Sequence, residues 1–149
     1  MVKISAYIVT LNEEKRLANT LQALKKVADE IFVIDSGSTD KTQKIAEKYG
    51  AKFLFHKWKN ISAQKHYGQE LCNNDWVLSL DADEVLSPEL IAEIKDKMKS
   101  PTADAYKMKI CDMLPGDKKP RLLAKTYNQV RLYNRKKSNM PDELTHDRV

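Results

Sequence analysis

The stretch Trp76-Val77-Leu78-Ser79-Leu80-Asp81-Ala82-Asp83-Glu84 joins a short apolar run directly to three acidic residues. The apolar run has the length of one buried strand. Carboxylates this close together repel each other and resist burial unless a cation joins them. Mg2+ and Mn2+ take oxygen ligands, often one or two carboxylates together with substrate phosphates. The pattern predicts a strand that carries Asp81 and Asp83 to its C-terminal end, and the alternative is a solvated acidic turn.

Apolar and amphipathic segments alternate on both sides of this strand. Three further strands are predicted before it, at residues 3–10, 31–34 and 51–55. Helices are predicted to begin at Asn12, near Thr39 or Asp40, near Ser62 and at Ser87-Pro88. Asn12 is expected to cap the first helix, and Gly37 to allow a tight turn. Four alternations of strand and helix predict a Rossmann-like α/β fold, with a mostly parallel sheet and helices on both faces.

The last third of the chain is less regular and carries the whole excess of positive charge. Weak alternation predicts strands at residues 105–113 and 127–133. Residues 1–100 hold 15 Lys and Arg against 15 Asp and Glu, whereas residues 101–149 hold 11 against 6, which accounts for the net charge of +5. Such runs are commonly solvated surface. The more specific interpretation is a surface that binds an anionic partner: membrane phospholipid, a phosphorylated glycolipid or nucleic acid.

The composition of the sequence limits the classes of protein to which it can belong. At 149 residues, with 42% hydrophobic and 32% charged residues, the sequence is typical of one soluble globular domain. The apolar stretch at residues 4–9 is too short for a signal sequence or a membrane helix. Cys72 and Cys111 lie far apart without a C-x-x-C pattern, so a reduced, cytoplasmic setting is the simplest interpretation.

Acidic groups end two of the predicted strands, since Asp35 follows the second and Asp81 with Asp83 follows the fourth. In a parallel sheet these groups reach the same edge, where ligands bind. At this point the chain resembles the nucleotide-diphospho-sugar glycosyltransferases of family 2, and looks closest to the branch that builds lipopolysaccharide inner core and related glycolipids. The resemblance spans nearly the whole chain and rests on four stretches in order: Ile8–Glu14, Val33–Asp40, Gln64-Lys65 and Trp76–Glu84.

The resemblance implies a GT-A fold and a nucleotide-sugar donor, with a UDP-sugar expected first. By resemblance, the nucleoside is held by the turn from Thr10 to Glu13, which includes Asn12. Asp35 would lie near the base, and Ser38 belongs to the same turn as Asp35.

The resemblance also implies a divalent metal, Mg2+ or Mn2+, at the acidic stretch. Asp81 would face the ribose and the metal, and Asp83 would bind the metal directly. Lys65 would lie near the donor phosphates, where a point positive charge is suited. Such a metal neutralises the charge that develops as the nucleoside diphosphate leaves.

In this branch, a His followed by an acidic residue comes near the end of the catalytic core, and here that pair is His146-Asp147. Asp147 would be the general base that removes the acceptor hydroxyl proton, and His146 would assist or orient it. One candidate base without a second nucleophile of comparable support predicts a single displacement with inversion. Because members of the branch continue past this pair, we expect residues 1–149 to be a single catalytic domain that is truncated at its C-terminus or lacks part of its acceptor site.

The expected function is metal-assisted sugar transfer to an anionic glycolipid or polysaccharide acceptor in cell-envelope glycan synthesis, such as lipopolysaccharide biosynthesis. The expected location is the cytoplasm, with peripheral contact at the inner face of the membrane, and nucleic acid is not an expected partner. One alternative is a nucleotide- or polyanion-binding module without catalysis. Another is a phosphatase of the haloacid dehalogenase type, because Leu80–Val85 resembles its strand followed by Asp-x-Asp-x-Val. In that family the motif follows the first strand, whereas three strands are predicted to precede it here.

Overall fold

A computed structural model of the chain describes residues 1–113 and 124–138. Within these residues, strands and helices alternate and are followed by two further strands. The elements are β1 (Ile4–Thr10), α1 (Leu17–Leu24), β2 (Glu30–Asp35), α2 (Thr42–Lys48), β3 (Lys52–Phe55), α3 (Ile61–Leu71), β4 (Trp76–Asp81), α4 (Pro88–Lys97), β5 (Ala105–Cys111) and β6 (Thr126–Asn134).

All six strands form one sheet in the order β3-β2-β1-β4-β6-β5. The first four are parallel, whereas β6 runs antiparallel to β4 and β5 runs antiparallel to β6. The predicted mostly parallel α/β sheet is therefore confirmed, and the two weakly alternating segments form its antiparallel edge. Strands β1 and β4 are the two central strands of the six, and β4, which ends in the acidic stretch, is buried throughout its apolar part.

Helices cover both faces of the sheet, as predicted. One hydrophobic core joins alternate strand residues such as Ile8 and Leu78 to helices α1, α2 and α4. A second core on the other face contains Tyr7 and Val77, with Tyr67 and other residues of α3 packed against it. Because side chains alternate along a strand, Asp81 lies on the same face as Val77 and therefore faces α3.

Helix α3 packs very closely on β1. A Cβ atom at Gly68 would lie 2.6 Å from Cδ2 of Tyr7, a distance that real side chains do not tolerate. Asn60 caps the helix by accepting a hydrogen bond from the Ala63 N–H at 2.8 Å. The close approach fixes the distance between α3 and the sheet. It therefore also fixes the distance between Lys65, on α3, and the C-terminal end of β4.

Two predicted helix starts have different outcomes. Ser87 caps α4 by accepting a hydrogen bond from the Leu90 N–H at 3.2 Å, with Pro88 in the first turn, as predicted. The prediction that Asn12 caps α1 is wrong. Helix α1 begins only at Leu17, and Asn12 has a positive φ of 56° in the preceding loop. Asn12 is used there for a contact with another loop, which sequence-local reasoning does not detect.

No helix in the described part of the chain is both long and apolar enough to cross a bilayer.

Candidate functional site

The carboxyl ends of β1, β2 and β4 meet at one edge of the sheet. Thr10 pairs with Asp35 in the parallel register of β1 and β2, and Val9 pairs with Asp81 in the register of β1 and β4. The prediction that Asp35 and Asp81 reach the same edge is therefore confirmed. The loops that follow these three strands form the candidate site.

The turn after β2 is built around the buried carboxylate of Asp35, which is 2% exposed. Its Oδ2 accepts hydrogen bonds from the backbone N–H groups of Gly37 at 2.8 Å and Ser38 at 2.7 Å. Its Oδ1 accepts from the Thr10 hydroxyl at 3.0 Å and from the Ser38 hydroxyl. Gly37 has a φ of +115°, which a side chain would strain. Asp35 therefore shapes this turn, and its carboxylate oxygens are already engaged within the protein.

The loop after β1 is fastened to the turn after β2. The Asn12 N–H donates to Ser38 Oγ at 2.7 Å, and Asn12 Oδ1 accepts from the Thr39 N–H at 2.9 Å. The Glu13 N–H donates to Thr42 Oγ1 at 2.8 Å, at the start of α2. These bonds explain the left-handed conformation of Asn12, which is one of the few residue types that tolerate it. The residues predicted for the nucleoside, from Thr10 to Glu13 and at Ser38, are thus brought together.

Asp81 lies between two cations. Lys65 of α3 places its Nζ 3.3 Å from Asp81 Oδ1, and Arg131 of β6 places its Nη2 2.9 Å from Asp81 Oδ2. The same Nη2 contacts Oε1 of Glu84, whose Oε2 accepts the backbone N–H of Asp81 at 3.0 Å. The Arg131 side chain is 3% exposed and that of Asp81 is 39% exposed. A buried arginine therefore holds a carboxylate that is partly accessible to solvent.

These contacts change the pKa values of the three groups. Burial tends to raise the pKa of Asp81, but Lys65 and Arg131 outweigh burial and lower it. Burial raises the pKa of Glu84, and the attraction of Arg131 offsets this only in part. Burial tends to lower the pKa of Arg131, but Asp81 and Glu84 outweigh it and raise that pKa. Asp81 is therefore the carboxylate whose charge the site maintains.

Asp83 stands on the exposed side of the acidic turn. Its Oδ2 is 3.2 Å from Nη1 of Arg16, and both side chains are about half exposed, at 51% and 57%. Arg16 also forms an ion pair with Glu13 at 2.7 Å. The first loop and the acidic turn are thus joined by charges that water screens, and such exposed pairs hold groups only weakly.

The donor set suits a divalent metal that shares its coordination with a phosphate. Within residues 1–113 and 124–138, no group of three or more His, Cys, Asp or Glu side chains is arranged to hold a metal ion. Mg2+ and similar hard cations, however, commonly take one or two carboxylates and complete their shell with substrate phosphates and water. The open side of Asp81 and the exposed Asp83 offer these two carboxylates, so the chemistry of the residues fits a shared cation.

Arg131 and Glu84 are functional-site candidates that the sequence patterns did not single out. In the sequence, Arg131 contributes only to the basic excess of the last third, and Glu84 is only the third acid of the acidic stretch. A buried arginine between two carboxylates is visible only once β6 is placed beside β4. The predicted catalytic pair, His146 and Asp147, lies outside the described residues, so its role stays a prediction.

The family model and the relatives that match this chain indicate the same protein family. A model of Glycosyl transferase family 2 matches residues 5–149. An uncharacterized glycosyltransferase of Rickettsia conorii is 44% identical over 99% of this chain and 54% of its own length. The lipopolysaccharide core biosynthesis glycosyltransferase LpsC of Rhizobium meliloti is 36% identical over 60% of this chain and 37% of its own length. The chain thus spans about half the length of the first relative.

Among solved structures, the glucosyl-3-phosphoglycerate synthase of Mycobacterium tuberculosis, crystallised with Mn2+, UDP and phosphoglyceric acid, superposes with a TM-score of 0.51. It is 24% identical, over 56% of this chain and 34% of that one. At this identity the likeness shows the fold alone, and the fold is GT-A, as predicted.

Proposed function

The chain belongs to glycosyltransferase family 2, and we propose that it transfers a sugar from a nucleoside-diphosphate donor to a glycolipid or polysaccharide hydroxyl. The observation that carries this proposal is the meeting of Asp81, Lys65 and the Asp35 turn at one sheet edge. That edge combines a rigid turn, which suits a nucleoside, with a cation that attracts a diphosphate and carboxylates that would bind the metal shared with it. A haloacid dehalogenase phosphatase is disfavoured, because the acidic stretch follows the fourth strand and the family model is that of a transferase.

The nucleoside is proposed to lie on the turn that Asp35 builds. Because Asp35 already accepts four hydrogen bonds from Thr10, Gly37 and Ser38, it acts by fixing the backbone of that turn. The loop at Asn12 and Glu13 closes the other side. A UDP-sugar is the proposed donor, supported by the UDP in the structure of the mycobacterial synthase with the same fold.

The diphosphate is proposed to lie above Asp81, beside Lys65 and Asp83. The Lys65 side chain is 13% exposed and its Nζ forms an ion pair with Oδ1 of Asp81, so it is placed to transfer part of its attraction to a phosphate. Asp81 and Asp83 would hold Mg2+ or Mn2+ together with that phosphate. Bound there, the metal would neutralise charge on the departing diphosphate. The Mn2+ in the structure of the mycobacterial synthase supports this proposal.

For the chemical step, we propose a single displacement with inversion at the anomeric carbon. Asp147 would take the proton of the acceptor hydroxyl on the face opposite the leaving diphosphate, and His146 would orient it. Residues 1–149 form the proposed catalytic domain.

The acceptor is proposed to be an anionic glycolipid of the cell envelope, reached from the cytoplasmic face of the membrane. The partial relative LpsC, named for lipopolysaccharide core biosynthesis, supports this class of acceptor. Two lysines of the basic last third already have partners: Lys136 lies 2.9 Å from Asp75 and Lys137 lies 3.1 Å from Asp104. Both pairs are exposed and screened by water, so these lysines are able to exchange partners for phosphate groups.

A thermal-shift panel of nucleotide sugars with Mn2+ tests the donor proposal. A ligand that binds only the folded state stabilises it by about 2.7 kcal/mol at 100 times its dissociation constant. We expect UDP-sugars with Mn2+ to raise the melting temperature, and uridine alone to raise it much less. Hydrolysis of the same nucleotide sugar in the presence of metal separates an enzyme from a binding module. No stabilisation by any nucleotide sugar would argue against the proposed site.

A further inference from the structure

Arg131 lies at an irregularity in the sheet, where β6 separates from β4. The pairing of β6 with β4 covers Asn134 to Leu132 and ends there, at the partner of Leu78. On the other side, Leu132 pairs with Tyr106 and Val130 pairs with Lys107, so Arg131 is the extra residue of a β-bulge. Bulges bend a strand and redirect a side chain, and they are frequent beside active sites.

The bulge directs a permanently charged group beneath Asp81. The whole residue is 2% exposed, and its guanidinium contacts Oδ2 of Asp81 and Oε1 of Glu84 through the same nitrogen. Oε2 of Glu84 accepts a hydrogen bond from the backbone N–H of Asp81 at 3.0 Å, so the three residues form a closed ring of contacts. The ring fixes both the carboxylate and the backbone at the last residue of β4.

The Nε atom of Arg131 is buried and has no hydrogen-bond partner among the described residues. An unsatisfied buried donor costs about 1–3 kcal/mol. A buried ion pair is, moreover, weak evidence for stability, since well-packed apolar residues often serve as well or better. Stability alone therefore does not explain why an arginine stands here.

We propose that Arg131 is a positioning residue that fixes the carboxylate of Asp81 for a shared metal and diphosphate. The inference rests on the proposed function. The two cations contact different oxygens of Asp81. Arg131, which is buried in the sheet, contacts Oδ2, whereas Lys65 of α3 contacts Oδ1. A ligand approaching from solvent reaches Asp81, whose side chain is 39% exposed, and does not reach Arg131, whose side chain is 3% exposed. Because guanidinium does not deprotonate in proteins, Arg131 keeps its hold on Asp81 before and after the ligand binds.

The test is calorimetry of UDP binding to the 149-residue chain, with and without Mn2+, for the wild type and for Arg131→Lys. Arg135→Lys is the matched control, because Arg135 follows the same strand and donates to the Gln69 carbonyl at 3.1 Å. Outer-shell partners of metal ligands typically contribute about 10–100-fold in metal affinity. We expect Arg131→Lys to lose that much of the Mn2+-dependent gain in UDP affinity and to leave the metal-free affinity within about twofold.

Folding is followed by thermal unfolding in the same samples. If Arg131→Lys does not fold, the double variant Arg131→Met with Glu84→Met replaces the buried charges by apolar side chains of similar length. That variant should also lose the Mn2+-dependent gain. Wild-type affinity with Mn2+ in either folded variant of Arg131, or equal losses with and without metal, would overturn the positioning role. If the wild type itself does not bind UDP with Mn2+, the proposed function fails, and the inference with it.

Discussion

Lys65 Nζ lies 3.3 Å from Asp81 Oδ1, so the carboxylate at the end of β4 already has a counter-ion besides Arg131. A metal or a phosphate that reaches this oxygen must share or replace that ion pair. The relationship means that Lys65 opposes the binding of a metal alone and favours the binding of a diphosphate. Under the proposed function, we therefore expect the candidate site to bind the two ligands together.

The first prediction concerns Lys65→Met, which removes the charge and keeps much of the side-chain length. Charge-assisted hydrogen bonds contribute about 1.5–3 kcal/mol, so metal-free UDP affinity should fall by roughly tenfold or more. The affinity for Mn2+ alone should rise, because Asp81 loses a competing cation. Both affinities are measured by calorimetry, with Lys57→Met as the control for net charge. A fall in both affinities would show that Lys65 does not compete with the metal.

A second prediction concerns acid stability and Glu30. This carboxylate is 15% exposed and accepts hydrogen bonds from Ser5 Oγ at 2.6 Å and from the backbone and side-chain N–H groups of Asn73 at 2.8 and 2.7 Å. Burial tends to raise the pKa of Glu30, but these bonds and Lys52 outweigh burial and lower the pKa below its ordinary value of 4.5.

Because the pKa is lower in the folded state, the stabilisation from Glu30 is present above pH 4.5 and is lost as the pH falls through the folded-state value. Glu30→Gln should therefore reduce the free energy of unfolding by about 1–3 kcal/mol at neutral pH. The difference from wild type should shrink in acid. Urea unfolding at several pH values measures it, and the exposed Glu93→Gln serves as the control. A difference that does not depend on pH would contradict the assignment.

Sequence patterns were sufficient for the parallel core because each of its elements has a local signal. Apolar runs define β1, β2 and β4, and the fixed polarity of parallel strands then places Asp35 and Asp81 at one edge. The helix cap predicted at Asn12 is wrong because the conformation of Asn12 depends on Ser38 and Thr39, more than 25 residues away in the sequence. Local capping rules take no account of such a contact.

Arg131 was not predicted for a related reason. A β-bulge is defined by the pairing of two strands, so the sequence of β6 alone does not reveal it. Positive charge in a polar segment normally indicates solvated surface. Here the same segment carries one buried arginine, and only the neighbouring β4 shows why its charge is tolerated.

The third prediction concerns the chemical step. General-base assistance is typically worth about 10²–10⁴-fold, so Asp147→Asn should slow sugar transfer by that factor and leave donor binding nearly unchanged. Asp142→Asn, in the same region of the sequence, is the control. An α-linked donor should give a β-linked product by NMR, and a retained anomeric configuration would exclude the single displacement.

The fourth prediction concerns the basic last third. Each basic residue near an anionic membrane is worth about 1 kcal/mol, and the attraction decays within a Debye length. Co-sedimentation with anionic vesicles should therefore weaken sharply with salt. Replacing Lys118 and Lys119 by Gln should weaken it more than the same change at Lys25 and Lys26, which lie in the neutral first hundred residues. Equal binding to neutral and anionic vesicles would refute the membrane contact.

Calorimetric titration of UDP with Mn2+ into the wild type and into Asp83→Asn, with Asp96→Asn as the control, tests the proposed metal and diphosphate site most directly. The Asp83 side chain is 51% exposed and its ion pair with Arg16 is screened by water, so the substitution should leave the fold intact. We predict that the wild type binds UDP more tightly with Mn2+ than without it, and that Asp83→Asn loses this gain by at least the roughly 10–100-fold typical of a metal site's outer partners. Unchanged UDP–Mn2+ affinity in Asp83→Asn would contradict the proposed metal and diphosphate site.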